Sequence, residues 1–242
     1  MNTTDRKIIF VHQAKAAGTS VVEAFKATYG SGALFHDQDN QGLWKMAKWR
    51  RFIELNIQPY RKYKDRESYQ VIHGHFRSAK YRRAFPGAFY LTFYRDPVQQ
   101  IVSTYFFWLR SYNPTDTLPL RQWVYEVKPN LVEFVAKWID GNDLEGRAKR
   151  LNTHNFNFVG ITERLEDSMK LLKLHIPELV TDVEAHRANP DKQVGEGYIL
   201  SHDDEEMLNK MLRPLIVLYG EALSRFESDW GTANTQGKIE RN

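Results

Sequence analysis

A lysine, a glycine and two hydroxyl side chains stand close together near the start of the chain, at Lys15, Gly18, Thr19 and Ser20. They follow a short apolar run at 7–12, and a helix-like pattern begins directly after them. A chain that turns sharply into a helix presents backbone N–H groups, and a neighbouring lysine adds positive charge, so this arrangement can bind a phosphate. The sequence therefore predicts an anion-binding loop.

The position of the lysine distinguishes this loop from the phosphate loop of nucleoside triphosphate enzymes. In that loop, written G-x-x-x-x-G-K-[ST], the lysine directly follows the second glycine. Here Lys15 comes three residues before Gly18, the only glycine of the loop. The sequence thus favours a phosphate-bearing ligand but argues against the commonest one. The alternative is an ordinary strand–turn–helix in which Lys15 is a solvated surface charge.

Arg95 and Ser103 form a second candidate group, within the segment FYRDPVQQIVSTYFF. Arg95 follows an apolar run at 88–94, and Ser103 comes eight residues later, a little over two turns into a helix that Pro97 can begin. A guanidinium and a hydroxyl on this face could hold a second phosphate. Alternatively, Arg95 pairs with Asp96 or a helix end, and Ser103 only packs.

Two histidines, His73 and His75, flank Gly74 directly after an apolar run at 69–72. A neutral histidine accepts a proton from a hydroxyl group near neutral pH, which suits a general base. Residues two apart on an extended segment point to the same side, so one histidine can act while the other hydrogen-bonds, or both can contact one ligand. The pair could also bind a metal, but no third ligand stands at a suggestive spacing, and we expect no metal.

Strands that alternate with helices must position these groups. We predict that Thr19 or Ser20 is the N-cap of the first helix and that the helical region 120–139 is interrupted near Pro129. Residues 31–42 and 184–198 are predicted to be loops. The apolar runs predict strands at 7–12, 69–72, 88–94 and 158–162, and helices at 19–29, 98–109, 120–139, 165–176 and 201–227.

This order of elements predicts an α/β fold with a mainly parallel central sheet and helices on both faces. In such sheets ligands bind beyond the carboxyl ends of the strands. Three predicted strands end at 12–20, 73–75 and 95–97, so we expect those segments to converge on one site.

The composition fits one globular domain over 1–242, with a polar tail that frays from about residue 230. Of the 242 residues, 42% are hydrophobic and 13% aromatic, which is ample for a core. The net charge of +4 suits an anionic ligand and does not require nucleic acid. The chain has no cysteine, which excludes disulfides and thiolate metal sites. No apolar stretch reaches about 18 residues, so we expect no transmembrane segment and a soluble, cytoplasmic protein.

Taken together and in this order, the loop and the Arg95/Ser103 pair resemble the sulfotransferases that use 3′-phosphoadenosine 5′-phosphosulfate (PAPS). In that superfamily a Lys-x-x-Gly-Thr-Ser loop binds the 5′-phosphosulfate, and an Arg and a Ser, often in an Arg-Asp-Pro setting, bind the 3′-phosphate. The resemblance is closest to the carbohydrate branch with the heparan sulfate and uronyl 2-O-sulfotransferases. Three further stretches match that branch: His73-Gly74-His75, FVGITE at 158–163, and His186-Arg187 with Lys192 in the late loop. Gln13-Ala14 departs from the Ile-Pro often found there.

The resemblance implies a three-layer, P-loop-like sulfotransferase fold. It also implies an enzyme that transfers a sulfuryl group from PAPS, by in-line displacement, to a hydroxyl group of a carbohydrate acceptor. The product would be 3′-phosphoadenosine 5′-phosphate (PAP), and no metal is required. The resemblance implies His75 as the general base with His73 in support, and a catalytic as well as a binding role for Lys15. The implied nucleotide contacts are Lys15, Ala17, Gly18, Thr19, Ser20, Arg95, Ser103, Arg187 and Lys192.

Two other functions are open at this point. A nucleotide-dependent kinase with a divergent phosphate loop is disfavoured, because no lysine follows Gly18 and Asp96 is the one candidate for binding magnesium. A non-catalytic polyanion-binding module would use the segment 44–66, which mixes aromatic side chains with Lys and Arg. That segment is at least as well explained by a solvated helix whose aromatic side chains face the core.

Overall fold

The computed structural model describes residues 6–37, 47, 64–111, 119–182 and 197–239. In this part of the chain, strands and α-helices alternate as the sequence predicts. The strands are β1 (Ile8–Val11), β2 (Leu34–Asp37), β3 (Val71–Gly74), β4 (Phe89–Tyr94) and β5 (Phe158–Ile161). The helices are α1 (Gly18–Tyr29), α2 (Ala79–Arg82), α3 (Pro97–Arg110), α4 (Pro119–Val127), α5 (Leu131–Asp140), α6 (Leu144–Arg150), α7 (Leu165–His175), α8 (His202–Met211) and α9 (Arg213–Thr235).

The five described strands form one parallel sheet in the order β2-β3-β1-β4-β5. Every residue of β1, β3, β4 and β5 is buried, so both faces of the sheet are covered. At the edge, β2 is only partly buried. The predicted α/β fold, with a parallel central sheet between layers of helices, is confirmed, whereas its P-loop-like sulfotransferase type stays a prediction.

The strand order brings the predicted site segments together. After β1, the chain goes to β2 on one side of the sheet, returns to β3 beside β1, and then crosses to β4 on the other side of β1. Because all strands run in parallel, the segments that follow β1, β3 and β4 emerge side by side at one edge. His12, His75 and Arg95 open those three segments.

Two expectations about local structure are wrong. Residues 34–37 form β2, although the sequence predicted a loop over 31–42, of which 38–42 lie outside the described residues. The strand forms because β3 offers a ladder partner, and such a partner cannot be read from a short, mixed run of residues. The N-cap of α1 is Ala17, not Thr19 or Ser20, and it makes no side-chain capping hydrogen bond.

The C-terminal third also differs in detail. The predicted helix over 201–227 is two helices, α8 and α9, with Pro214 in the first turn of α9. Helix α9 continues to Thr235, and the fraying expected from about residue 230 stays a prediction. The predicted interruption near Pro129 is confirmed: α4 ends at Val127, and a capping box of Asn130 and Glu133 begins α5.

Two hydrophobic clusters hold the helices in place. One surrounds the sheet, where Phe25 of α1 packs edge-on against Phe10 of β1, with ring centroids 6.4 Å apart. The other lies among α3, α5 and α8, with Val102, Phe134 and Leu208 fully buried. Helix α3 therefore connects the site edge of the sheet to a separate helical layer. Among the described helices, none combines the length and the apolar character needed to cross a membrane.

Candidate active site

The loop between β1 and α1 turns tightly. Lys15 and Ala17 have φ angles of 61° and 54°, in the left-handed region that residues other than glycine rarely adopt. Ala16 between them is fully buried. Alternating left- and right-handed residues turn successive N–H groups toward one side and form a concave anion-binding surface. The strained backbone at these two positions is therefore a candidate functional feature.

The start of α1 adds further hydrogen-bond donors. The first helical backbone bond runs from the Val21 N–H to the Ala17 carbonyl, at 3.2 Å, so the three preceding N–H groups have no intrahelical partner. Within the described part of the chain, the hydroxyls of Thr19 and Ser20 also make no hydrogen bond. N–H groups, hydroxyls and the positive end of the helix dipole together suit a phosphate or sulfate group.

Gly18 is needed for a reason that the sequence did not reveal. A Cβ at this position would lie 1.7 Å from Nε2 of His12, because the His12 ring packs directly on the start of α1. His12 was not among the predicted site residues. The available signal was its place as the first polar residue after the apolar strand β1.

Side chains from the neighbouring elements hold the loop backbone. Gln100 of α3 donates from Nε2 to the Ala14 carbonyl at 2.7 Å, and Arg95 donates from Nη1 to the Lys15 carbonyl at 3.0 Å. In the opposite direction, the buried Gln13 side chain donates to a main-chain carbonyl of β4 at 3.0 Å. The loop is thus fixed to the two elements that carry the second predicted motif.

Glu163, which follows β5, contacts the segment directly after β4. Its carboxylate accepts from the Asp96 backbone N–H and from the Tyr219 hydroxyl, both at 3.1 Å, and lies 3.9 Å from Nε of Arg95. Burial raises the pKa of Tyr219, and the adjacent Glu163 carboxylate raises it further. Glu163 therefore contacts both Arg95 and Tyr219 and so connects the site to α9.

Ser103 and Lys15 meet on one face of α3. Ser103 is buried, and its hydroxyl has no hydrogen-bond partner among the described residues, whereas the neighbouring Thr104 bonds back to a carbonyl of its own helix at 2.9 Å. The Lys15 ammonium lies 4.5 Å from the ring centroid of Phe107. Since residues four apart share a helix face, Lys15 lies over the face that carries Ser103.

His75 has one ring nitrogen fixed and the other available. Nδ1 lies 2.8 Å from the carbonyl oxygen of His12. A carbonyl can only accept, so Nδ1 carries the proton in the neutral ring and Nε2 keeps its lone pair. The residue is exposed to solvent, yet desolvation by surrounding atoms lowers the pKa of His75, and the hydrogen bond to His12 opposes that shift. This is the arrangement that a general base requires.

His73 is held differently. It is buried, and its ring stacks on that of His36 in β2, with centroids 4.7 Å apart and planes 1° from parallel. Burial, together with the nearby His36, lowers the pKa of His73 to about 4. Both histidines belong to the described residues, and no hydrogen bond joins His73 to His75. The supporting role of His73 stays a prediction.

Four histidines line this edge of the sheet: His12, His36, His73 and His75. Their rings stack in two pairs instead of converging on one point. Among the described residues, no group of three or more histidine, aspartate or glutamate side chains is arranged to hold a metal ion. The expectation that the reaction needs no metal stays a prediction.

Two predicted contacts fall outside the described part of the chain. Arg187 and Lys192 lie within 183–196, and most of the basic aromatic segment 44–66 is likewise not described. The described chain resumes at 197, where Gln99 of α3 bonds both backbone groups of Tyr198, one of them at 3.1 Å. All the other predicted site residues lie at the carboxyl edge of β1, β3 and β4, or on α1 and α3 beside it.

Neither a comparison with sequence models of known protein families nor a search of curated proteins finds a match to this chain. The resemblance to PAPS-dependent sulfotransferases therefore rests on the sequence motifs and stays a prediction.

Proposed function

We propose that this chain is a PAPS-dependent sulfotransferase that transfers a sulfuryl group to an acceptor hydroxyl of a carbohydrate. One observation carries the proposal: the candidate base and the candidate 3′-phosphate ligand are both hydrogen-bonded to the backbone of one anion loop. His75 bonds the carbonyl of His12, and Arg95 bonds the carbonyl of Lys15. The three motifs thus form one connected unit.

The donor groups fit a nucleotide with a phosphate at each end. The first set comprises the N–H groups and hydroxyls at the start of α1, where Thr19 and Ser20 have no partner among the described residues. The second set comprises the Arg95 guanidinium, which Glu163 orients, and the buried Ser103 hydroxyl. When bound, PAPS supplies the sulfuryl group for transfer. Hydroxyl, backbone and guanidinium donors are the groups that bind phosphate oxygens.

Lys15 would neutralise the charge that develops on the leaving oxygen. Such transfers depend on positioning and charge neutralisation more than on covalent catalysis. In the described state its ammonium lies over the ring of Phe107, which is itself partly exposed. A cation–π contact at an exposed site contributes about 0.5–1 kcal/mol, so losing the contact with Phe107 costs little when Lys15 binds an anion.

His75 would take the proton of the acceptor hydroxyl on Nε2 while the hydroxyl oxygen forms its bond to sulfur. Its Nδ1–H stays bonded to the His12 carbonyl throughout, so the ring does not rotate during the transfer. The lowered pKa of His75 keeps the ring neutral, and hence able to accept a proton, at physiological pH. The carbohydrate nature of the acceptor and the cytoplasmic location come from the sequence and stay predictions.

Calorimetric titration with PAP and with ATP, each with and without magnesium, tests the proposal. We expect PAP to bind without a metal and more tightly than ATP. Magnesium-dependent ATP binding without PAP binding would overturn the proposal in favour of a kinase. Binding of heparin without binding of either nucleotide would favour a polyanion-binding module. Transfer of labelled sulfate from PAPS to a panel of glycans and small hydroxyl compounds would then identify the acceptor class.

A further inference from the structure

The His12 side chain lies between two other rings. It stacks on Phe10 with ring centroids 5.5 Å apart, and on His75 with centroids 4.5 Å apart and planes 29° from parallel. We call these rings the Phe10–His12–His75 stack. The backbone of His12 contacts the same segment, because its N–H donates to the Gly74 carbonyl at 3.0 Å and its carbonyl accepts from Nδ1 of His75 at 2.8 Å.

This arrangement follows from the way β3 ends. If the parallel ladder between β1 and β3 continued, the backbone N–H of Phe76 would donate a hydrogen bond to the His12 carbonyl. Gly74 has a φ of +150°, and a Cβ there would lie 2.2 Å from the Asp37 carbonyl oxygen, so only glycine fits this turn. The chain leaves the ladder after Gly74, and the imidazole of His75 occupies the place of the missing backbone donor.

The His12 ring also packs against the start of α1, where a Cβ on Gly18 would lie 1.7 Å from Nε2 of His12. The ring therefore spans from the helix that begins the anion loop to the ring of His75. Burial, together with the nearby His75, lowers the pKa of His12 to about 3, so the His12 ring stays neutral beside His75. The other titratable or charged groups that act on His75 are His36 and Arg147.

We propose that His12 is a positioning residue for His75: its carbonyl fixes the proton on Nδ1 of His75, and its ring holds the imidazole so that Nε2 stays available to the acceptor. The catalytic meaning of this inference rests on the proposed sulfotransferase function. The tautomer itself is a property of the folded chain and can be tested without any activity.

The first test measures the tautomer of His75 by long-range ¹⁵N–¹H NMR at a pH where the ring is neutral. We expect a single Nδ1–H tautomer of His75 in the wild type and a mixture of tautomers in His12→Ala. This variant keeps the backbone carbonyl of residue 12 but lacks the stacked ring that holds the imidazole against it. His12→Phe, which keeps a planar ring between Phe10 and His75, should restore the wild-type signal, and the exposed His154→Ala serves as the control. An Nε2–H tautomer in the wild type would overturn the proposal.

The second test separates positioning from folding. Gly18→Ala should destabilise the wild type, because the new Cβ meets the His12 ring, but should destabilise the His12→Ala background much less. Urea unfolding of the four proteins in this double-mutant cycle measures how much of the stabilisation by His12 comes from the packing of its ring against α1. A loss of Nδ1–H tautomer in a folded His12→Ala variant then reports positioning.

The third test uses sulfate transfer. A misplaced catalytic group costs up to about 100-fold in rate, so we expect His12→Ala to lower kcat about 10–100-fold while PAP affinity changes less than about two-fold. His12→Phe should recover most of kcat. An unchanged kcat in His12→Ala, or a parallel loss of PAP affinity, would contradict the positioning role. If the wild type transfers no sulfate at all, the proposed function fails, whereas the tautomer measurement still decides the role of His12.

Discussion

Two stacked histidine pairs lie at the same edge of the sheet, and they differ in what surrounds them. The His12/His75 pair includes an exposed ring whose Nδ1 is fixed by a carbonyl. In the His36/His73 pair the rings are parallel, and the pKa of the buried His73 falls to about 4. Stacking alone therefore does not make a base. A base also needs one ring nitrogen fixed and the other accessible.

The second pair adjoins a buried ion pair. Asp37, the residue after His36, lies 2.6 Å from Nζ of Lys80 and accepts from the Tyr81 hydroxyl at 2.7 Å. Both charged side chains are about 1% exposed, so this cluster is sealed from solvent. The β2 side of the edge therefore contains a buried ion pair, whereas the candidate base lies on the β1 side.

The two pairs should differ most in sulfate-transfer activity when His75 is removed from one and His73 from the other. We expect His75→Ala to lower sulfate transfer by about 10³-fold or more, because the proton acceptor is lost, while PAP affinity stays within about two-fold. His73→Ala should retain most of the activity of the protein that remains folded. Loss of transfer in a folded His73→Ala variant, with activity retained in His75→Ala, would exchange the two roles.

Breaking the buried ion pair tests the structural side of the comparison. Asp37→Asn leaves the Lys80 ammonium buried without its carboxylate, which costs about 3–5 kcal/mol of unfolding free energy. The surface pair of Lys170 and Glu166 gives the matched control: Lys170→Ala should leave stability nearly unchanged. Urea unfolding measures both. A cost below about 1 kcal/mol for Asp37→Asn would show that the cluster does not hold this edge.

Gly74 separates the two pairs, and its substitution should disturb both. We expect Gly74→Ala to cost about 3 kcal/mol of stability, since alanine meets the Asp37 carbonyl and disfavours a φ of +150°. Gly87→Ala is the control, because a Cβ at that position would have nothing within 4 Å of it. Equal stabilities for the two variants in urea would contradict the steric account of the turn.

Arg95 on the β1 side of the edge and Arg66 on the β2 side should contribute differently to PAP affinity. Arg95→Ala should weaken PAP binding about 10–100-fold, the range expected for losing hydrogen bonds to a charged group. Arg66, which lies 3.8 Å from Asp37 on the other side, offers the comparison: Arg66→Ala should lower stability and leave PAP affinity nearly unchanged. Calorimetry gives both affinities. Similar losses in PAP affinity would mean that the ligand extends across the whole edge.

Acid should destabilise the folded protein through the buried His73 of the His36/His73 pair. Its folded-state pKa of about 4 lies below the unfolded value of 6.5, so the unfolded chain binds more protons between these values. Stability is therefore fully present above pH 6.5 and is lost as the pH falls toward 4. Between pH 7 and pH 4.5 we expect the wild type to lose about 2 kcal/mol more than His73→Phe does in urea unfolding. The same loss in both proteins would remove His73 as the cause.

Sequence patterns predicted most of the architecture because those patterns are local. The apolar run before Lys15 and the run before Arg95 each indicated a strand, and their alternation with helices indicated a parallel sheet. Convergence of the three strand ends then followed from the geometry of such a sheet. Strand β2 and the capping of α1 by Ala17 were missed, since one depends on pairing with β3 and the other on a left-handed residue that no composition rule indicates.

Residue types and their spacing were enough to predict a lysine, hydroxyls, an arginine and a pair of histidines at one edge of the sheet. How the histidines differ depends on the tertiary fold. His75 is fixed by a carbonyl 63 positions away, and His73 is buried against a strand that the sequence did not predict. The physical reason is that exposure, stacking and a fixed tautomer depend on neighbours from other strands. Residue type and spacing along one segment do not contain them.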